Sequence, residues 1–327
     1  MAKPIIVSGI QPTGNLHIGN YLGAVKNWVG LQNSDKYEMY IFIADLHSLT
    51  GLQTADERRK QILVLTAELL AAGIDPKKTT LFVQSQVPEH VELAWIFSTI
   101  TPVAELERMT QYKDKANRQE KSINTGLLTY PTLMAADILL YHTGLVPVGQ
   151  DQIQHLELTN DIGRWFNNRY GVYFSEVKPL LTSFPKIMSL LEPTKKMSKS
   201  LGGGHILELA DEPNITTDKL KRAVTATAGG FEAPGVTNLL QLLKTFSEPK
   251  IYNQFAEAEK SGTIRYGDLK QSLAEAISGY FADFRKERTK LLNDEEKLNK
   301  ILVVGAKKAQ KIAEKTLADV KKIIGLR

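Results

Sequence analysis

The 327-residue sequence contains no cysteine, and that single absence removes several kinds of protein. A disulfide framework, a Cys-ligated zinc or iron–sulfur centre and a thiol nucleophile are all excluded. Long apolar runs are also missing. Nothing approaches membrane-spanning length, and the opening MAKPIIVSGIQPTG has too short an apolar run for a signal peptide. The expectation is a cytoplasmic protein with no membrane partner. Glycines occur, but not in the GxGxxG or P-loop spacings, which disfavours dinucleotide and Walker-type nucleotide binding. No Asp/Glu cluster has metal-ligand spacing, so no metal site built from protein side chains is expected.

What remains is an ordinary globular composition, 43% hydrophobic and 24% charged, with chain enough for about two domains. The net charge of +5 is unevenly placed. Residues 300–327 hold eight Lys/Arg against Glu314 and Asp319, a net +6, which leaves −1 for residues 1–299. One basic segment, not a basic body, sets the high isoelectric point. Such a segment suits a polyanion such as RNA, but on charge alone a lysine-rich solvated helix face is the better reading.

Apolar runs at 4–8, 38–44, 79–84 and 145–148 read as buried strands. Helical patterns at 20–31, 56–72, 89–100, 103–112, 127–141 and 151–167 separate them. Strands alternating with helices of this length imply right-handed crossovers and a parallel sheet covered on both faces. From residue 220 onward only helical patterns occur, and the polar, lysine-rich stretch 193–204 reads as a mobile surface loop. A boundary near Gly204 is the result: an α/β domain over 1–204 and an all-α domain over 205–327, whose last helix is a candidate to pack back on the first.

In open parallel sheets the ligand lies beyond the carboxyl ends of the strands. The first such end carries Gly9, Gly14 and Gly19, which allow close backbone approach to a ligand. It also carries His17-Ile18-Gly19-Asn20, and about 180 residues later stands Lys196-Met197-Ser198-Lys199-Ser200. In this order the two blocks resemble the HIGH and KMSKS motifs of class I aminoacyl-tRNA synthetases. Adenylate formation joins a carboxylate to the α-phosphorus of ATP through a highly charged transition state, so it needs positioning and positive charge more than a general base. A histidine, an asparagine and two loop lysines are suitable equipment.

Between these motifs, the stretches 9–20, 105–115, 126–141, 146–157 and 187–200 are similar to the bacterial tryptophanyl-tRNA synthetase family, collinear to about residue 245. The resemblance implies a Rossmann-like nucleotide-binding domain followed by a helical anticodon-binding domain. It implies catalytic roles for His17, Asn20, Lys115, Lys196 and Lys199. It makes Asp137 the acceptor of the indole N–H of L-tryptophan, with Met134, Val146 and Val148 around the rings and His47 and Gln152 at the polar end. For ATP it points to Gln11, Pro12, Thr13, Gly19, Asn20, Gly149, Gln150, Asp151, Ile187, Lys196, Met197, Ser198, Lys199 and Ser200, with magnesium carried mainly on the triphosphate. The implied partners are tRNA(Trp) and a second copy of the chain, with Trp95, Ile96 and Phe97 in the interface region and no role for DNA. The chain departs from the family at Gln150, where many relatives have Glu, and at Leu201-Gly202-Gly203-Gly204, where relatives continue with an acidic, asparagine-containing segment.

The residues taken alone leave alternatives open. Asp137 shares a helical face with Tyr130, Met134 and Tyr141. A buried acid there needs a partner, and a paired structural Asp satisfies that requirement as well as a ligand contact does. Met134, Val146 and Val148, like Trp95, Ile96 and Phe97, fit ordinary core packing. Arg222, Arg265, Arg285 and Arg288 are candidates for anticodon reading no better than any exposed arginine. The length leaves no room for a large editing domain. Two rival readings are a tyrosine-specific relative and a catalytically silent paralogue that only binds RNA or an amino acid.

Overall fold

The protein is described from a computed structural model covering residues 3–112, 124–181, 186–225 and 234–327. Five strands form one parallel sheet: β1 (Ile5–Ile10), β2 (Glu38–Ile43), β3 (Thr79–Val83), β4 (Leu145–Val148) and β5 (Lys178–Leu181), in the spatial order β3-β2-β1-β4-β5. Ile5 stands opposite Glu38 and Met39 opposite Thr79; on the other side Ile6 faces Leu145, which faces Lys178. The order reverses between β1 and β4, so the crevice at their carboxyl ends is the place where such sheets take ligands.

The first four strands are near-continuous apolar runs because both faces of the sheet are covered. The fifth was not expected from the sequence. It reads Lys-Pro-Leu-Leu, is largely exposed, and accommodates Pro179 because an edge strand can spare one amide donor.

By packing, the chain forms two units, and neither is a single stretch. The first comprises Met1–Thr13, Lys26–Ser183 and Leu291–Arg327, and the second Gly14–Val25 and Phe184–Lys290. The change of texture near Gly204 lies within the second of these units. In the first unit the long helix Glu295–Ile324 buries Ala309, Ala313, Leu317 and Val320 in the core that contains the sheet. Its closest approach is at Gly305, where an added Cβ would lie 1.9 Å from the Leu81 carbonyl oxygen of β3. In that unit the helix Thr125–Leu139 packs against Glu89–Ser98 and against Ile153–Tyr170.

In the second unit the helices Pro213–Arg222, Pro234–Phe246 and Tyr266–Tyr280 pack around Leu220, Leu239, Leu243, Leu269 and Leu273. The short helical turn Ile18–Asn20 continues as a π-type turn over Tyr21–Val25. Tyr21 there donates to or accepts from the Tyr280 hydroxyl at 2.9 Å and meets the Phe281 ring edge-on.

Candidate active site

Within the first unit, the ends of β2 and β3 and two helices converge on Asp137, which is 1% exposed. Strand β2 leads into the short helix Asp45–Ser48, which carries His47; β3 leads into the turn Gln84–Gln86. Asp45 ties these two segments together by accepting from the Ser85 amide at 3.0 Å and the Ser85 hydroxyl at 2.5 Å. His47 Nε2 then lies 2.7 Å from Asp137 Oδ2, while Gln84 Nε2 at 2.7 Å and His90 Nδ1 at 2.6 Å converge on Oδ1. Behind His90, the Tyr141 hydroxyl stands 2.9 Å from Nε2.

Burial alone would push the Asp137 carboxyl up, but the positive charge and hydrogen bond of His47, joined by His90, hold it at about 2. An ionised carboxylate only accepts, so His47 presents Nε2–H and His90 presents Nδ1–H. Burial also keeps the Tyr141 hydroxyl protonated well beyond its ordinary range. The result is an anionic oxygen pair fixed from three directions before any ligand arrives.

His47, expected at the polar end of a substrate, is thus bound to Asp137 itself. The sequence shows Tyr141 only as a neighbour of Asp137 on one helical face, and Gln84 and His90 escaped sequence reading, although the carboxyl ends of β2 and β3 were the places to look. Met134 is half-buried and packs against the core that includes Val146 and Val148, and Ile96 and Phe97 belong to the same core. Trp95 is 71% exposed beside Val91, one helical turn away. Other expected residues of this unit line two turns. After β1, exposed Gln11 and Thr13 flank buried Pro12, whose carbonyl accepts from Gln53 Nε2 at 2.8 Å. After β4, Gly149 precedes the turn Gln150–Gln152, and a Cβ at Gly149 would come within 2.7 Å of Asp151 Oδ1. Lys115 lies outside the described residues.

The second unit holds both sequence motifs. His17 and Ile18 pair with the segment after KMSKS: the Ile18 amide donates to the Leu207 carbonyl at 2.9 Å and Asn15 Nδ2 donates to Glu208 at 2.8 Å. The KMSKS segment is itself anchored, because the Met197 amide donates to the Ile187 carbonyl at 2.9 Å and the Met197 side chain is buried. Asn238 grips Met188 through both its amide and its carbonyl at 3.0 Å, which fixes the opposing segment to the helices of this unit. The stretch read as a mobile loop therefore has a rooted centre. Lys196 and Ser200 remain exposed, Ser198 Oγ lies 2.9 Å from Ser200 Oγ, and Lys199 Nζ donates to the Gly14 carbonyl at 2.8 Å.

Among the described residues the Nδ1 of the buried His17 ring has no hydrogen-bond partner. Burial first, then the positive charges of Lys199 and Lys196, lower its pKa to about 3. It is neutral at ordinary pH. Gly19 permits this placement, since a Cβ there would stand 2.9 Å from the ring. Asn20 Oδ1 accepts from the His17 amide at 3.3 Å and so holds the turn. Among the described residues no group of three or more His, Asp or Glu is arranged to hold a metal ion. Of the arginines considered for RNA reading, Arg285 is committed to the Ser278 carbonyl at 2.7 Å.

Comparison with known proteins bears on both constellations. The family described as "tRNA synthetases class I (W and Y)" matches residues 1–282. A tryptophan--tRNA ligase from Clostridium tetani is 47% identical over 330 residues, covering 99% of this chain and 96% of that protein. The crystal structure of tryptophanyl-tRNA synthetase from Campylobacter jejuni complexed with ADP and tryptophan is similar with a TM-score of 0.86 and 34% identity, over 98% of this chain and 99% of that one. The synthetase from Mycoplasma pneumoniae is similar to the same degree, TM-score 0.86 and 34% identity, over 100% and 99% of the two chains.

Proposed function

Because this chain belongs to the class I tRNA synthetases for tryptophan and tyrosine, we propose that its two constellations divide one reaction between them. The reaction is that of a tryptophan–tRNA ligase. L-Tryptophan is joined to ATP as tryptophanyl-adenylate with release of pyrophosphate, and the tryptophanyl group then passes to tRNA(Trp).

The observation that carries the tryptophan half is the state of Asp137. A carboxylate offers about four acceptor positions, and His47, Gln84 and His90 occupy three of them. The fourth, on Oδ2, receives the indole N–H. A site built around one buried anionic acceptor rejects amino acids that lack a matching donor by factors of up to about 10⁴. His47, sharing that same oxygen, orients the acceptor; Met134 flanks the rings, and Val146 and Val148 support them from the core.

The phosphate half falls to the HIGH-type turn and KMSKS. ATP enters as its magnesium complex, with the ion carried on triphosphate oxygens. Neutral His17 offers a ring N–H to a phosphate oxygen without adding charge, and Lys196 and Lys199 neutralise the departing pyrophosphate. Lys199 leaves the Gly14 carbonyl as it does so. Gln11, Thr13, Gly149 and Asp151 hold the nucleoside, and Gln152 the tryptophan ammonium.

The helices of the second unit read the anticodon. The exposed apolar pair Val91 and Trp95 forms part of a homodimer contact, as an apolar surface pair of this kind fits. The protein works in the cytoplasm. ATP–pyrophosphate exchange with each amino acid separately tests the whole reading: exchange driven by tryptophan is expected, and exchange driven by tyrosine instead would overturn it.

A further inference from the structure

The long helix Glu295–Ile324 has two faces of opposite character, and only one of them is used by the fold. Leu298, Leu302, Ala309, Ala313 and Val320 are buried and recur at intervals of four and seven residues. On the other side, Lys300, Lys307, Lys311, Lys315 and Lys322 are all exposed and follow the same rhythm. At 3.6 residues per turn they fall within an arc of about 80°, along about 33 Å of helix. The lysines bordering this row on either side turn into the fold instead: Lys308 reaches Glu38 at 3.2 Å and Lys321 reaches Glu92 at 2.5 Å. Among the described residues none of the five takes part in an ion pair.

A solvated helix face ordinarily alternates acid and base at spacings of three and four, which stabilises the helix. This row does the opposite. Lys307, Lys311 and Lys315 are like charges one turn apart, an arrangement that costs a few tenths of a kcal/mol per pair. Glu296 and Glu314 stand at one border of the row, and Asp319 is engaged by the Tyr173 hydroxyl at 3.2 Å. The helix holds eight lysines against four acidic residues, a net +4 in a chain whose total is +5. A lipid surface is a poor occupant, because a membrane-lying helix must insert its apolar face and here that face is spent on the sheet. A nucleic-acid backbone needs only a rigid row of cations, which about 33 Å of helix supplies.

Resting on the tRNA-charging reading, we propose that the lysine row of Glu295–Ile324 is a docking surface for the phosphate backbone of the tRNA substrate, supplying sequence-independent affinity. Each phosphate neutralised contributes about 0.7–0.9 to the slope of log affinity against log salt.

The test is the triple variant Lys307→Gln/Lys311→Gln/Lys315→Gln in the full chain, with the Lys→Arg triple as its charge-preserving partner. The expected result is a KM for tRNA raised at least about tenfold near physiological salt and a salt slope reduced by about 2–3, with tryptophan-dependent pyrophosphate exchange unchanged. The Arg triple should restore both values. An unchanged tRNA KM and slope in the Gln triple would overturn the proposal. So would row-dependent sedimentation with phosphatidylserine-rich vesicles while tRNA binding stays intact, which would assign the row to a membrane. Failure of the wild-type protein to exchange pyrophosphate with tryptophan would instead remove the charging reading, a result the binding slopes do not affect.

Discussion

His90 Nδ1 and Asp137 Oδ1 lie 2.6 Å apart in a hydrogen bond closed to solvent. His90 is in turn held by Tyr141, so the direction of the Asp137 carboxylate is set by groups with no access to a ligand. The tryptophan site proposed above thus has an acceptor whose orientation is already decided.

Asp137→Asn replaces an anionic acceptor with a group that turns two of its own N–H donors toward three donors. Tryptophan-dependent exchange should fall by about 10²-fold or more in kcat/KM, as expected when a charge-assisted hydrogen bond is lost and buried donors are left unpaired. Exchange with tyrosine should not rise. The variant should also change the acid limb of stability. The Asp137 carboxyl sits at about 2 in the fold against an ordinary 3.8, so its contribution is full above about pH 4 and is lost as pH falls toward 2. That contribution is about 2 kcal/mol, and Asp137→Asn should unfold with a shallower dependence on pH across that interval.

His17 gives a second signature at milder acidity. Its pKa of about 3 in the fold lies below the 6.5 of the unfolded chain, so the unfolded state gains a proton first as pH drops. Stability is fully present above about pH 6.5 and declines toward pH 3, by about 2 kcal/mol between pH 7 and pH 5. Thermal midpoints of wild type and His17→Asn at those two pH values check this. The variant should lose less on acidification.

Lys199→Ala removes both the bond to the Gly14 carbonyl and the charge assigned to pyrophosphate. Exchange should fall by about 10²–10³-fold, the usual cost of deleting one preorganised group that stabilises transition-state charge. Tryptophan binding followed by calorimetry should be unchanged. Retained exchange would leave the KMSKS lysine without the role given to it here.

Gly305→Ala should destabilise the fold without touching either constellation directly. Its Cβ would meet the Leu81 carbonyl, a backbone atom that cannot swing away. A loss of about 1–3 kcal/mol or more in urea unfolding is expected, the range for overpacking a close contact.

The four covered strands were legible because buried parallel strands leave unbroken apolar runs, as at Met39–Ile43 and Thr79–Val83. Lys178–Leu181 was not, since a short exposed edge strand with a proline has no such run. Asp137 stood out as an acid among apolar residues, but its partners did not: Gln84 and His90 look like ordinary surface polars until the sheet brings the ends of β2 and β3 together. The two motifs were legible as patterns of residues. Their anchoring was not, because Met197 and Asn238 act through backbone contacts that composition does not reveal. The discontinuous make-up of the two units was not legible either, since texture along the chain carries no information about which distant segment a helix will cover.

The closing of β3 by Glu295–Ile324 imposes an order on the protein's own birth. During translation β3 leaves the ribosome about 200 residues ahead of the helix that packs on it. For that interval Leu81 and its neighbours wait uncovered, so the nascent chain depends on swift completion or on a chaperone to keep that strand from other partners.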